Sequence, residues 1–534
     1  LTPKDRVTLK NPSDGSVSTA AMIVMSSMIL SRLTGFIRET MLSWKVGLSW
    51  VQDAYVAAFT VPDLMYTLLV GGMISAALVP FISGKLEKGE EKEGWKAASS
   101  FINVIFLGMA TLCLLGVIFA PQIIPLVVPG FSGENQHTRE LAVTLARILF
   151  PSVSFIMLAG ICNGILNSYK KFAAAAYGPS IYNTGCALAI FLFADTNPQS
   201  MIKVATGVAC SAVLYFLIQF SFVFSKLKLY RPVINFFDKG FRNLFGQAVP
   251  SLLSSSVTQV NVIISTAFVS FGAVEGTLAA FRNANTLWQL PYGIFAMGIG
   301  TAMLPTLSGK FAAGEQKEYK TLLMRSLTSV LFLAVPSSAA FIVLREPLVR
   351  AVFEWGGKFT DKDVPGVASI MALFSISMIT QSIVGIMNRS FYAGQDTKTP
   401  LAAGIVSIIL NVGFGSIFYS FTDLGASGMA LSYSIISTVN AVMLLFLLNR
   451  KMKGINIGRL LRFFAKAVPA TLVMIAALLL LESLPLRLCT KSLQLAFLAG
   501  EITVGAAIYV VAMILLKAED ALYLVKLFKQ RFNM

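Results

Sequence analysis

Apolar runs close to a bilayer's width alternate along the whole chain with short polar or basic intervals. The segment MIVMSSMIL at 22–30 and the stretches 102–120 and 467–481 are almost free of charge, and about 20 such residues suffice for a helix to cross the hydrocarbon. Setting these runs against clusters of Lys and Arg predicts fourteen spans, at 18–43, 53–82, 97–120, 139–167, 172–194, 201–225, 243–271, 275–307, 321–344, 364–394, 399–420, 424–449, 464–482 and 493–517. The pattern is that of an all-α polytopic membrane protein. Span 1 is too long for a removable signal peptide, lacks an A-x-A site and is followed by thirteen more spans, so it is expected to remain.

The spans repeat. VPFISGKLEKGE at 79–90 matches LPTLSGKFAAGE at 304–315, and Gly164-Ile165-Leu166-Asn167 matches Gly385-Ile386-Met387-Asn388. Spans 1–6 therefore resemble spans 7–12. Six is even, so both copies enter the membrane the same way round, as a parallel pseudo-twofold repeat whose two lobes commonly line a transport path. The predicted organisation is a cytoplasmic segment 1–17, an N-lobe 18–225, an amphipathic cytoplasmic linker 226–242, a C-lobe 243–449, a cytoplasmic loop 450–463, two extra spans within 464–517 and a cytoplasmic tail 518–534.

Composition agrees, with 56% apolar and 13% charged residues, where a soluble chain carries about 25% charged. The net charge of +17 is explained by topology without any nucleic-acid partner. With the N-terminus inside, thirty Lys and Arg fall on the cytoplasmic side and nine outside, which predicts N-in and C-in. Four arginines remain within or at the edge of spans: Arg32, Arg38, Arg147 and Arg282. An arginine at the bilayer centre costs about 2.5–3.5 kcal/mol on insertion scales, so each is expected to face a cavity or a partner.

Arg32 and Glu39 share one face of span 1 with Gly35 between them, and Arg38 points roughly 120° away. Two splayed guanidiniums suit a multi-oxygen anion such as pyrophosphate; the plainer alternative makes Arg38 and Glu39 the outer end of the helix. Asp53 opens span 2, which continues through Pro62 to Gly71-Gly72, and proline and paired glycines make it bendable, with Gly35, Pro62, Gly71 and Gly72 as candidate hinges. In span 8, Arg282, Asn285, Thr286 and Gln289 form a polar stripe suited to a hydrated wall, or to hydrogen bonding between packed helices. There is one histidine, His137, in an outer loop, and no Walker, HExxH or aspartate-rich motif. Neither an enzyme nor a metal site is indicated, and the five cysteines, without CxxC spacing, read as core fillers.

The stretches SRLTGFIRE, DAYVAAFTVPDL, GILNSYKKFAAAAYGP, LWQLPYGIFAMGIGTAMLPTLS, FEWGGKFTDKD and FYAGQDTKTP together resemble the MurJ family of lipid II flippases in the multidrug/oligosaccharidyl-lipid/polysaccharide exporter superfamily. That resemblance implies a bacterial inner-membrane transporter, not an enzyme, moving undecaprenyl-pyrophosphate-linked disaccharide-pentapeptide by alternating access. It implies a cationic cavity with Arg32 and Arg38, polar residues Glu39 and Asp53, and a lipid-tail groove beside the last two spans. No cofactor is implied, energy coming from the membrane potential or an ion; peptidoglycan synthesis enzymes are candidate partners besides membrane lipids. The family arginine of span 8 is Thr286 here, its glutamate is Gln289, and the glutamate expected in span 2 is Gly71; Arg282, one turn earlier, is a candidate replacement. A flippase for another polyprenyl-linked oligosaccharide and a cation-coupled exporter of the same superfamily are the rival readings.

Overall fold

The computed structural model describes residues 14–272, 274–484, 490–519 and 521–522, and its regular elements are all helical. In chain order they are α1 (Asp14–Val46), α2 (Trp50–Tyr66), a π-helix (Thr67–Leu78), α3 (Val79–Glu87), α4 (Glu91–Val127), α5 (Gln136–Ser168), α6 (Phe172–Ala176), α7 (Gly178–Phe193), α8 (Pro198–Val223), α9 (Lys239–Ser270), α10 (Thr277–Ala312), α11 (Gln316–Val343), α12 (Arg345–Phe353), α13 (Val364–Ala393), α14 (Lys398–Phe421), α15 (Gly425–Lys451), α16 (Ile457–Glu482) and α17 (Lys491–Leu515). Among the described residues, ten helices are long and apolar enough to cross a membrane. Side chains do the starting: Ser49, Asn197, Asp238, Asn456 and Thr490 each accept the backbone N–H that opens α2, α8, α9, α16 or α17.

The helices depart from the sequence pattern at two places. Span 5 breaks at Tyr177 into α6 and α7, because Pro179 follows at the first turn of α7. The segment 345–363, between predicted spans 9 and 10, contains a further helix, α12, too short for a span. Most of the predicted cytoplasmic segment 1–17 and tail 518–534 lies outside the described residues.

Span 2 is not a continuous α-helix. α2 runs on past Pro62, and the hydrogen bonding then widens to the π form from Thr67 to Leu78, across Gly71 and Gly72. A π segment is rare and is frequently met at functional sites. The irregularity therefore sits on the glycine pair and not on the proline.

We call the end where α1 turns into α2 upper and the end where α3 turns into α4 lower. At the lower end the repeat is reproduced closely. Gly89 (φ +73°) and Gly314 (φ +74°) close α3 and α10 in the same left-handed turn, and Lys85 and Lys310 reach Glu90 and Glu315, each at 2.5 Å. The turns closing α5 and α13 match too: Lys170 (φ 58°) and Gln395 (φ 56°) are left-handed, and the next residue donates to Leu166 O in one and Phe391 O in the other. These pairs are all 225 residues apart, so the GILN and GIMN match is displaced by one helical turn from the structural correspondence.

One apolar cluster joins the lobes near the upper end, with Leu42, Ala57 and Leu145 of the first lobe alongside Phe281, Trp288 and Phe374 of the second. The boundary at 243 is not a clean division. The lower part of α9 packs on the first lobe, Phe241, Leu244 and Ala248 joining Met73, Trp95 and Phe101, while Asn411 of α14 donates to Asn261 farther along it. The linker before α9 is tied to α4 through Asn103, which donates to Arg231 O and Val233 O, and leaves Phe236 and Phe237 exposed. α16 and α17 join the apolar cluster of α11 through Met474, Leu478 and Tyr509.

Candidate functional site

Glu39 stands where the lobes meet. Its Oε1 accepts from Arg38 Nη2 at 2.7 Å and from Arg282 Nη2 at 3.4 Å, so one carboxylate is held by a guanidinium of α1 and a guanidinium of α10. Arg282 also reaches Asp63 Oδ2 at 3.4 Å, and Arg38 Nη1 donates to Asn183 Oδ1 at 3.3 Å. Leu42, Tyr55, Val56, Phe59 and Ile190 wall the space around these groups. Walls of this kind exclude water and strengthen the charge interactions inside. The free volume is about 10 Å³, room for about one water. An external anion could bind both arginines only by displacing Glu39.

Above this cluster the lobes are sealed. Asp53 of α2 is 4% exposed and accepts two backbone N–H groups at the start of α10, Gly276 N at 2.8 Å and Ala279 N at 2.7 Å. A carboxylate from one lobe thus caps a helix of the other, satisfying orphan donors and the positive end of the helix dipole. Gly276 adopts φ +81°, and a side chain there would meet Leu48; both facts require glycine. Around this cap, Gln52 Nε2 donates to Ser43 Oγ and Ser43 Oγ to Asn283 Oδ1, at 3.0 and 2.8 Å. Lys358 N donates to Trp44 O and Gly130 N to Ser270 Oγ, at 2.8 and 3.0 Å.

The other expected residues divide. Arg32 does not pair with Glu39, although the helical wheel puts both on one face; it is exposed below the cluster and lies over Gly293 of α10. Gly35 sits in an uninterrupted α1, with Asn183 Nδ2 3.3 Å from where a methyl group would project, so close packing is its visible role. Thr286 donates back to Arg282 O within its own helix. Asn285 and Gln289, hydrogen-bonded to each other at 2.9 Å, line a separate cavity of about 400 Å³ inside the second lobe, walled also by Trp288, Tyr433 and Asn440. The polar stripe of α10 therefore serves two spaces. Arg147 turns away toward α4, its Nε 3.3 Å from Val117 O.

Four contributors were not singled out from the sequence. Asp63 follows Pro62 within span 2, and Asn183 and Tyr292 carry no charge to mark them. Arg389, near the end of the predicted span 364–394, is left out of the span arginines; it belongs to α13 and donates to Gly385 O at 3.2 Å. Its signal was available in the repeat, since a basic residue interrupts one copy of the span only.

Among the described residues no group of three His, Cys, Asp or Glu could hold a metal ion. Cys113, Cys162 and Cys186 are buried as expected, Cys210 is exposed, and Cys489 lies outside the described residues.

Residues 43–498 match the family described as lipid II flippase MurJ. The probable lipid II flippase MurJ of Buchnera aphidicola subsp. Acyrthosiphon pisum is 30% identical over 456 residues, covering 84% of this chain and 87% of that protein. The lipid II flippase MurJ of Burkholderia cenocepacia is 30% identical over 466 residues, covering 85% and 88%. A solved structure of a lipid II flippase MurJ in an inward closed conformation is 27% identical, covers 93% of this chain and 99% of its own, and superposes with a TM-score of 0.77. An inward-facing multidrug resistance MATE transporter, 18% identical and covering 81% of this chain and 98% of its own at a TM-score of 0.69, shares the fold.

Proposed function

The chain belongs to the lipid II flippase MurJ family, and from this premise we propose that it carries the undecaprenyl-pyrophosphate-linked peptidoglycan precursor from the inner to the outer leaflet of a bacterial cytoplasmic membrane. A headgroup of sugars, peptide and pyrophosphate cannot cross hydrocarbon alone, since each unpaired polar group costs several kcal/mol. What carries the reading is Glu39, an internal carboxylate held by arginines of both lobes. It occupies an anion site, and the pyrophosphate is the anion that replaces it, because planar guanidiniums bind two phosphate oxygens at once.

The lower end is cytoplasmic in this reading, with both termini inside, which agrees with the distribution of lysine and arginine. The Asp53 cap then closes the outer side while the headgroup enters from below. As the pyrophosphate takes Arg38 and Arg282, Glu39 is released, the charge tie between α1 and α10 passes through the substrate, and the lobes rearrange around it. Opening outward requires Asp53 to leave α10, and the π segment of span 2, with Gly71 and Gly72, is where that span bends.

No bond is made or broken, and no cofactor is called for. An inside-negative potential favours outward movement of anions by about 2.3 kcal/mol per charge per 100 mV. Lipid II is the polyprenyl-linked glycan carried, and α16 with α17 offers its tail an apolar flank, Leu472, Leu479 and Leu480 being exposed. A cation-coupled exporter would need acidic groups in place of these arginines. Peptidoglycan synthesis enzymes, as consumers of the product, are the expected protein partners.

The experiment is complementation of a strain depleted of its lipid II flippase. Growth restored by this chain, with loss of lipid II from the inner leaflet, is the expected result. Correct insertion without rescue would refute the reading.

A further inference from the structure

We propose that Arg32 and Arg389, one from each lobe, form a second anion station below the Arg38–Glu39–Arg282 cluster, and that it receives the diphosphate of a polyprenyl-linked lipid before the headgroup reaches Glu39. The order of events rests on the flippase reading above; the station itself rests on geometry. Arg32 leaves α1 toward α10, where a methyl group on Gly293 would collide with its guanidinium. Arg389 leaves α13 toward the same helix and lies over Gly300, where a methyl carbon would stand 2.5 Å from its Nη1. Tyr292, beside Gly293, reaches the same side of α13: a methyl carbon on Gly385 would be 3.5 Å from the Tyr292 hydroxyl and 3.6 Å from Arg389 Nη1. Two glycines of α10 thus make room for two guanidiniums, with the Tyr292 phenol near that of Arg389.

Arg389 is particular to the second copy of the repeat. At the 225-residue correspondence fixed by Lys170 and Gln395, its position in the first lobe is Gly164, where Ile74 Cγ2 would stand 2.7 Å from any added methyl group. The first copy leaves no space for a side chain, and the second copy provides space through Gly300. Among the described residues no carboxylate pairs with Arg32, in contrast to Arg38 and Arg282. Like charges gathered in this way repel one another, and an anion set between them converts that repulsion into charge-assisted hydrogen bonds. A diphosphate, with oxygens on two phosphorus atoms, can engage one arginine with each phosphate. Arg32 is exposed and lies nearer the lower end of α1 than Arg38, so this station is met first, and the deeper one is reached only by displacing Glu39.

The test is direct binding, with the full chain in phosphatidylcholine nanodiscs and two probes, inorganic pyrophosphate and lipid II, titrated calorimetrically. Arg389→Ala is expected to weaken both about tenfold, the loss of one charge-assisted hydrogen bond, and Arg389→Lys to weaken them less. Gly300→Ala, which displaces the guanidinium and keeps its charge, is expected to weaken both several-fold with unchanged thermal stability. Affinities for both probes equal to wild type in Arg389→Ala would overturn the station and leave the flippase reading intact. Pyrophosphate binding that depends on Arg389, without any lipid II binding, would keep the station and remove the flippase reading. Competition by phosphatidylglycerol as strong as by lipid II would make it a phospholipid headgroup site and overturn the assignment. Weakened binding in Arg389→Ala that tracks a fall in thermal stability, with Gly300→Ala silent, would reduce Arg389 to a structural role.

Discussion

Replacing Asp53 with alanine should open the upper seal. Its two oxygens accept from Gly276 N and Ala279 N at 2.8 and 2.7 Å in a site 4% exposed, and hydrogen bonds to a charged group contribute about 1.5–3 kcal/mol each. In the open form water resolvates those N–H groups and the carboxylate alike, so about 3 kcal/mol is a reasonable net loss for the pair. At about 1.4 kcal/mol per tenfold, the ratio of closed to open molecules falls roughly a hundredfold. An asparagine side chain in its place would retain one acceptor and turn an NH₂ toward the second donor, so Asp53→Asn should lose about half as much free energy. Spin labels at the exposed residues Ser132 of the first lobe and Glu275 of the second, in detergent or nanodiscs, report the separation by pulsed electron resonance. A second, longer distance should appear in Asp53→Ala and more weakly in Asp53→Asn, with complementation reduced in the same order. Distance distributions identical to wild type in both variants would refute the claim that this cap holds the lobes together.

Arg38→Ala should abolish complementation at normal membrane levels, and Arg38→Lys should restore it in part, since lysine keeps the charge and loses the planar fork; full activity of the alanine variant would dismiss the anion site. Arg282→Ala should lose function, and adding Thr286→Arg should return some of it, because the new guanidinium rises one turn away on the same helix; a silent Arg282→Ala removes any need for a cation on α10. At the lower end, Asp396 accepts from Lys451 Nζ at 2.6 Å, and although burial acts to raise its carboxyl, Lys451 and the Thr399 N–H and hydroxyl hold it down to about 2. Its contribution to stability is therefore complete above the unfolded carboxylate range near 3.9 and fades as pH falls through about 2. Asp396→Asn should lower the thermal midpoint at pH 7, with a difference that shrinks below about pH 4; a difference independent of pH down to 2 would refute the assignment.

Much of this protein was written locally. Hydropathy along the chain is enough to call helices such as α4, α5, α13 and α16, because satisfying a backbone inside lipid is decided within each segment. The repeat was visible in Ser83-Gly84-Lys85 and Ser308-Gly309-Lys310, and the cost of charge in a membrane marked Arg32, Arg38 and Arg282. The helical wheel, however, joined Glu39 to Arg32, when the carboxylate binds Arg38 and an arginine more than 240 positions away. Asp53 read as a polar start to its own span and proved to cap a helix of the other lobe. Gly71 and Gly72 read as a bend and proved to lie in a π-helix. Each of these depends on which helices become neighbours. A span's apolar length fixes that it crosses the membrane, whereas the pairing of charges and caps is fixed by the distance between helices remote in sequence, which no periodicity along one helix encodes.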